Sequence, residues 1–246
     1  MDPDRVQPAK KFTVTFSLAF LSALTVLSLF SCKQKNKWID VDPAYSQFVD
    51  AYTTGVVSKT TAISIQLAAA TNTTHSVGEE VTDDLFELSP SVKGKAHWVN
   101  ARTIEFKPAS LLETGKQYDI HFKLGKVAKV PVKFQELKFS IQTITPSFKV
   151  TEFGLRSSGT KASMTLSGEV ETADLEKAAE VEKLLQASQG TGQLKIAWEH
   201  NDAAKTHRYT VADIQRLPTA STLLLQWDGK PMQIKVKGGR ELNVPA

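Results

Sequence analysis

Tyr118-Asp119-Ile120-His121-Phe122-Lys123-Leu124 is the stretch on which the fold turns. Apolar and polar residues alternate strictly through it, a period of two that places one set of side chains on a buried face and the other towards water. An amphipathic helix would repeat every three to four residues, so this segment reads as a strand. Working outward, Leu137, Phe139 and Ile141 alternate with Lys138, Ser140 and Gln142 in the same way, and Ile63, Ile65 and Leu67 do so with Ser64 and Gln66. Leu85-Phe86-Glu87-Leu88 is a further strand closed by Ser89-Pro90. The runs 96–99 and 103–106 flank Asn100-Ala101-Arg102 as a hairpin. Short strands at this spacing, without a helical pattern among them, predict an antiparallel sandwich.

Pro146, after Thr143-Ile144-Thr145, marks a boundary. Beyond it a second alternating set begins with Phe148-Lys149-Val150 and residues 162–168. A helix is predicted over 173–188. Thr172 is placed to cap it, Asp174 to meet the positive end of its dipole, and Gly190 to follow its end. Leu175, Ala178, Ala179, Val181, Leu184 and Leu185 form its apolar stripe, with Glu176, Lys177, Glu180, Glu182 and Lys183 towards water. Leu194, Ile196 and Trp198 alternate, residues 223–227 read as a fully buried strand, and Met232, Ile234 and Val236 alternate again. Asp228-Gly229 between the last two is a hairpin turn.

Residues 12–32 have a different character. They are apolar or small throughout, follow Arg5, Lys10 and Lys11, and end at Cys32, the one cysteine of the chain. A basic n-region, an apolar h-region and a small-residue exit describe a secretory signal peptide over 1–31. Leu29-Phe30-Ser31-Cys32 resembles a bacterial lipobox, with Phe30 where a smaller or β-branched residue is usual. Cys32 is thus the expected lipidation site and the membrane the expected partner. An uncleaved signal anchor and a buried structural thiol are the competing readings. The Ser and Thr residues at 13, 15, 17, 22, 25 and 28 dilute the apolar run against the first, and the basic boundary KQKNKW stands against the second. Residues 32–44 then form a polar tether, and the absence of an acidic run after Cys32 favours the periplasmic side of the cell envelope.

The composition bounds the remainder. Apolar residues make up 41% of 246, with 12 Phe and 4 Trp, enough for real cores. The net charge of +4 is small and evenly spread, which argues against nucleic acid as a partner. With Cys32 committed to lipid, no internal disulfide forms and packing alone must hold the exported chain. The expectation is therefore a mostly β protein, with one antiparallel sandwich over 45–145 and a second, carrying one helix, over 146–246.

Specific residues carry a resemblance. Ser89-Pro90, Val92-Lys93-Gly94-Lys95-Ala96, Trp98-Val99, the run from Arg102 to Pro108, Leu111-Leu112, Thr114-Gly115 and Tyr118 are similar to the bacterial Ig-like domain of bacterial alpha-2-macroglobulin family lipoproteins. The segment from Tyr52 to Lys59 resembles the entry to that domain. In the second half Val170 to Asp174, Trp198, His200, His207-x-Tyr209-x-Val211, Ile214 and Leu224-x-x-Trp227-Asp228-Gly229 resemble a macroglobulin-type domain. The resemblance implies Trp98 and Phe106 as the largest core pieces of the first sandwich. It also implies the membrane-tethered N-terminal arm of an endopeptidase inhibitor, with proteases or further macroglobulin domains as partners, and a fragment without the bait and thioester regions. The thioester of that family needs Cys-Gly-Glu-Gln, whereas Cys32 is followed by Lys33-Gln34.

Chemistry-bearing residues are sparse. His75, His97, His121, His200 and His207 lack metal-ligand spacing, although His200 and His207 are placed to approach across a turn. Asp83-Asp84 beside Glu79-Glu80 is an acidic loop, read as solvated rather than as a calcium site. No phosphate loop and no nucleophile elbow is present. The expectation is a chain with no catalytic residues, metal or cofactor. The competing function is a stand-alone lipid-anchored Ig-like binding or adhesion module.

Overall fold

The computed structural model describes residues 37–71, 74–159 and 162–246. Cys32 and the signal-peptide reading lie outside the described residues. From Trp38 to Ala246 the chain forms one compact unit, mostly β, whose hydrophobic core is in two parts.

The first part lies between two four-stranded sheets. One has the order β1 (Val49–Tyr52), β3 (Ile63–Leu67), β6 (Thr103–Pro108) and β5 (Gly94–Asn100). The other has the order β2 (Gly55–Val57), β8 (Leu137–Thr143), β7 (Gln117–Phe122) and β4 (Phe86–Ser89). This is the immunoglobulin strand order, with the chain passing from one sheet to the other between β1 and β2. Gly55 makes that passage with φ +79°, a region that costs other residues a steric clash, and β2 then pairs with β8 in parallel. Alternation puts Ile63, Ile65, Leu67, Ile104, Ile120, Phe122, Leu137, Phe139 and Ile141 fully inside. Trp98 and Phe106 join them from neighbouring strands. Before β7, Gly115 turns the chain with φ +66°. The Tyr118 hydroxyl then accepts from the Glu113 N–H at 3.0 Å, a tyrosine corner at the entrance to β7.

The second part lies between the sheets β13-β14-β10-β9 and β12-β11-β15-β16, all antiparallel. The first of these is built from β9 (Phe148–Ser157), β10 (Ser163–Thr172), β13 (Ile196–Asn201) and β14 (Thr206–Gln215). The second is built from β11 (Leu185–Gln189), β12 (Gly192–Leu194), β15 (Ser221–Asp228) and β16 (Lys237–Val244). Leu166, Val170, Val211, Ile214, Leu223 and Leu225 fill the space between them. Asp213, with φ +58°, bulges β14 so that Ile214 rather than Asp213 points inward after Val211.

Three expectations are corrected here. The helix expected over 173–188 shrinks to α1 (Ala178–Val181) and one 3-10 turn (Glu182–Leu184). Leu185, the last residue of the helical stripe, and Ala187 are two apart and share one face, and five cross-strand pairs to β15, from Leu185↔Trp227 to Gln189↔Leu223, draw the segment into a strand. Gly190 accordingly closes the tight β11–β12 hairpin with φ +58° instead of ending a helix. The strand expected through Met232, Ile234 and Val236 is a 3-10 turn (Lys230–Met232) followed by loop, and the hairpin partner of β15 is β16, in register Asp228↔Lys237. Nor is β15 buried on both faces: Leu223 and Leu225 are inside while Gln226 faces solvent.

Candidate functional site

The two cores meet at a polar junction whose parts come from two loops. Ser58 and Lys59 follow β2, and Asp174 and Glu176 follow β10. Asp174 is 1% exposed. Its carboxylate accepts from the Ser58 hydroxyl at 2.6 Å, from the Lys59 N–H at 2.8 Å and from the Leu175 N–H at 2.8 Å. Lys205 Nζ stands 4.0 Å away. Burial alone would push this carboxyl up; the Ser58, Lys59 and Leu175 donors with the Lys205 charge outweigh it and hold the pKa below the ordinary carboxylate value. Beside it Lys59 Nζ donates to Glu176 Oε2 at 2.8 Å, with both side chains about nine-tenths buried. Glu176, expected to face water, therefore neutralises a buried lysine. Leu112 N–H donates to the Lys59 carbonyl at 3.0 Å, tying the loop before β7 to the same point.

Thr172, expected as a helix cap, instead ends β10, and its hydroxyl donates to the Asp174 carbonyl at 2.8 Å. Asp174 is thus held from both sides, its carbonyl by its own sandwich and its carboxylate largely by the other. An open groove of about 630 Å³ follows the junction, with Lys59, Leu112, Glu176, Lys177 and Met232 on its walls. Every polar group named at the junction is paired, so its chemistry is that of a fastener between two bodies.

The other candidates are placed as follows. His200 and His207 do meet, as cross-strand partners on β13 and β14, with Nδ1–Nδ1 at 2.8 Å. His75 stacks on Trp98 with ring centroids 4.0 Å apart, and its Nδ1 lies 3.1 Å from Glu79 Oε1. His97 and His121 stand on strands β5 and β7, apart from that pair. In the acidic loop each carboxylate has a cation or donor: Glu80 pairs with Lys95, Asp83 with Lys126, Asp84 with Lys123, and Glu79 accepts from the Ser76 N–H. Among the described residues no group of three or more His, Cys, Asp and Glu is arranged to hold a metal ion, and no helix is long and apolar enough to cross a membrane. The junction gave no signal in the sequence. Ser58 and Asp174 are 116 positions apart, and neither residue alone points to the other.

The class that fold and junction define is a fastened pair of β-sandwiches, the first immunoglobulin-like in topology. No protein-family model matches the chain, and no curated protein does. Among solved structures, L,D-transpeptidase 3 from Mycobacterium tuberculosis is similar at 12% identity and a TM-score of 0.29, over 63% of this chain and 63% of that one. The same enzyme in complex with a faropenem-derived adduct is similar at 11% identity and a TM-score of 0.28, over 82% of this chain and 76% of that one.

Proposed function

We propose that this chain is the non-catalytic, membrane-tethered arm of an alpha-2-macroglobulin-like endopeptidase inhibitor, anchored at the bacterial cell envelope through lipid on Cys32. The junction carries the reading. Modules that act independently need only a flexible linker, whereas burying a lysine–glutamate pair and a triply bonded aspartate between two sandwiches is a cost that repays itself in fixed geometry. Fixed geometry is what an arm requires if it is to hold trapping segments at a set distance from a membrane. In this reading the boundaries are residues 45–145 for the Ig-like unit and 146–246 for the macroglobulin-like unit, and neither hydrolyses a substrate.

Two measurements test it. The full chain expressed in a bacterial host should partition into detergent, and Cys32→Ser should leave it unprocessed and without acyl chains. Mass spectrometry locating the mature N-terminus elsewhere removes the tether. Incubated with a trypsin-like protease and a large protein substrate, the chain alone should neither protect the substrate nor form a covalent adduct. Stoichiometric protection would show a complete trap and overturn the arm. Capture of a ligand by the chain alone, without any contribution to protease inhibition, would support a stand-alone adhesion module instead.

A further inference from the structure

The histidine pair is linked to the junction through bonded atoms. His207, 1% exposed on the inner face of β14, meets His200 of the edge strand β13 through Nδ1 on both rings, 2.8 Å apart. The ring centroids are 5.0 Å apart, which sets the two nitrogens nearly head to head, as in an N–H···N hydrogen bond. Two imidazoles sharing one cation at about 2.0–2.1 Å would instead converge on a point beside that axis. On the far side of each ring is an oxygen. Glu182 Oε1 lies 3.1 Å from His200 Nε2, and Thr172 Oγ1 lies 3.5 Å from His207 Nε2. The Thr172 hydroxyl hydrogen is directed to the Asp174 carbonyl, and the Asp174 carboxylate holds Ser58 and Lys59.

Proton counting decides what this arrangement tolerates. With both rings neutral, His200 donates through Nε2 to Glu182 and accepts at Nδ1 from His207. With one further proton, His200 donates from both nitrogens and His207 accepts at Nδ1. With both rings charged, two N–H donors oppose each other at a distance where only one hydrogen fits, and the contact must break. We propose that the His200–His207 pair is an acid-sensitive latch: full protonation parts β13 from β14 at this end and, through Thr172 and Asp174, loosens the junction between the sandwiches.

The charges around the pair set its sensitivity. Glu182 from the 3-10 turn faces His200. Glu169 of β10, itself 3.5 Å from Arg208, and Asp202 of the β13–β14 turn act on His207, and Lys205 acts on Asp174. Burial and the neighbouring His200 pull His207 below the usual imidazole value, against the pull of Asp202 and Glu169. The latch therefore stays closed through neutral pH and resists the first stage of acidification. Trp198 lies parallel to the His200 ring, with centroids 6.0 Å apart.

Hydrogen exchange of the full chain, corrected for intrinsic rates, reads both ends of the device at about pH 7.5 and about pH 5, the range over which imidazoles charge. Residues 196–201 and the Lys59 amide should lose at least about ten-fold in protection on acidification, relative to β7 in the first core. His200→Gln keeps the fold, since His200 is part-exposed. Its side chain offers an oxygen to a charged His207, so the acid response at both places should shrink to that of β7. His207→Gln should do the same if it folds. An unchanged acid response in His200→Gln overturns the latch, as does opening of β13 with no change at Lys59. Zinc binding at neutral pH that either substitution abolishes would also overturn it, because the pair would then be a metal site.

Discussion

Removing the Asp174 carboxylate gives the sharpest test of how the two sandwiches are joined. Of its three close hydrogen bonds, those from the Ser58 hydroxyl and the Lys59 N–H cross the junction, at 2.6 and 2.8 Å. A hydrogen bond to a charged group contributes roughly 1.5–3 kcal/mol net, so losing two should weaken docking in Asp174→Ala by about 3–6 kcal/mol. The loss has a ceiling. Once the sandwiches part, Ser58 and Lys59 recover their bonds from water, so the penalty falls on docking and spares both cores. Asp174→Asn retains the shape and one acceptor oxygen and should lie between the alanine variant and the natural chain. Urea unfolding, followed by hydrogen exchange resolved along the chain, reports the two cores separately. The natural chain should unfold in one transition and Asp174→Ala in two, with native strand content kept before the first. A change in docking below about 1 kcal/mol, or equal loss of both cores in a single transition, would refute the reasoning.

Three further outcomes follow from the same packing. Trp98→Ala empties a 4%-exposed site in the first core, and should cost about 3–5 kcal/mol there while leaving β15 exchange unchanged. Gly168→Ala would drive a methyl into the Thr151 carbonyl oxygen and the Tyr209 ring, neither of which can retreat from its place in the sheet; a loss of about 1–3 kcal/mol in the second core should appear in thermal unfolding. Acid should act in two stages. The depressed His207 contributes stability that is full above its ordinary 6.5 and falls as the pH drops below it towards its lower folded value. The depressed Asp174 contributes stability that is full above its ordinary 3.8 and is lost as the pH falls below that; unfolding midpoints between about pH 8 and pH 3 check both.

Local alternation was legible because it depends on neighbours two positions apart. Ile63–Leu67, Gln117–Phe122 and Leu137–Thr143 are strands whose apolar inward residues are those that the alternation marks, although Ser140, expected on the polar face, is buried where it bonds Asp119. The same kind of reading failed over 173–188. An apolar set that satisfies a helical period from Leu175 to Leu185 also satisfies a strand at Leu185 and Ala187, and only the presence of β15 alongside decides between them. It failed again at 232–236, where apolar alternation lies in a loop because β15 takes its partner five residues later. In both places the competing structures are close in local energy, and cross-strand hydrogen bonding selects one.

The sequence by itself determined the strand-rich composition of the chain, the inward faces of its clearest strands and the hairpin at Asn100-Ala101-Arg102. Those features are set by side-chain period and by backbone preferences that act over a few residues. The immunoglobulin strand order, the pairing of β11 with β15, the junction and the histidine contact were decided by the tertiary structure alone. Asp174 reads as a helix-dipole residue and Lys59 as the end of a domain-entry segment until a distant loop arrives. Each then becomes costly to bury unless the other loop supplies its hydrogen bonds. Chain segments that stabilise one another across 116 positions leave no periodic trace, because the free energy that selects them exists only once both have left water.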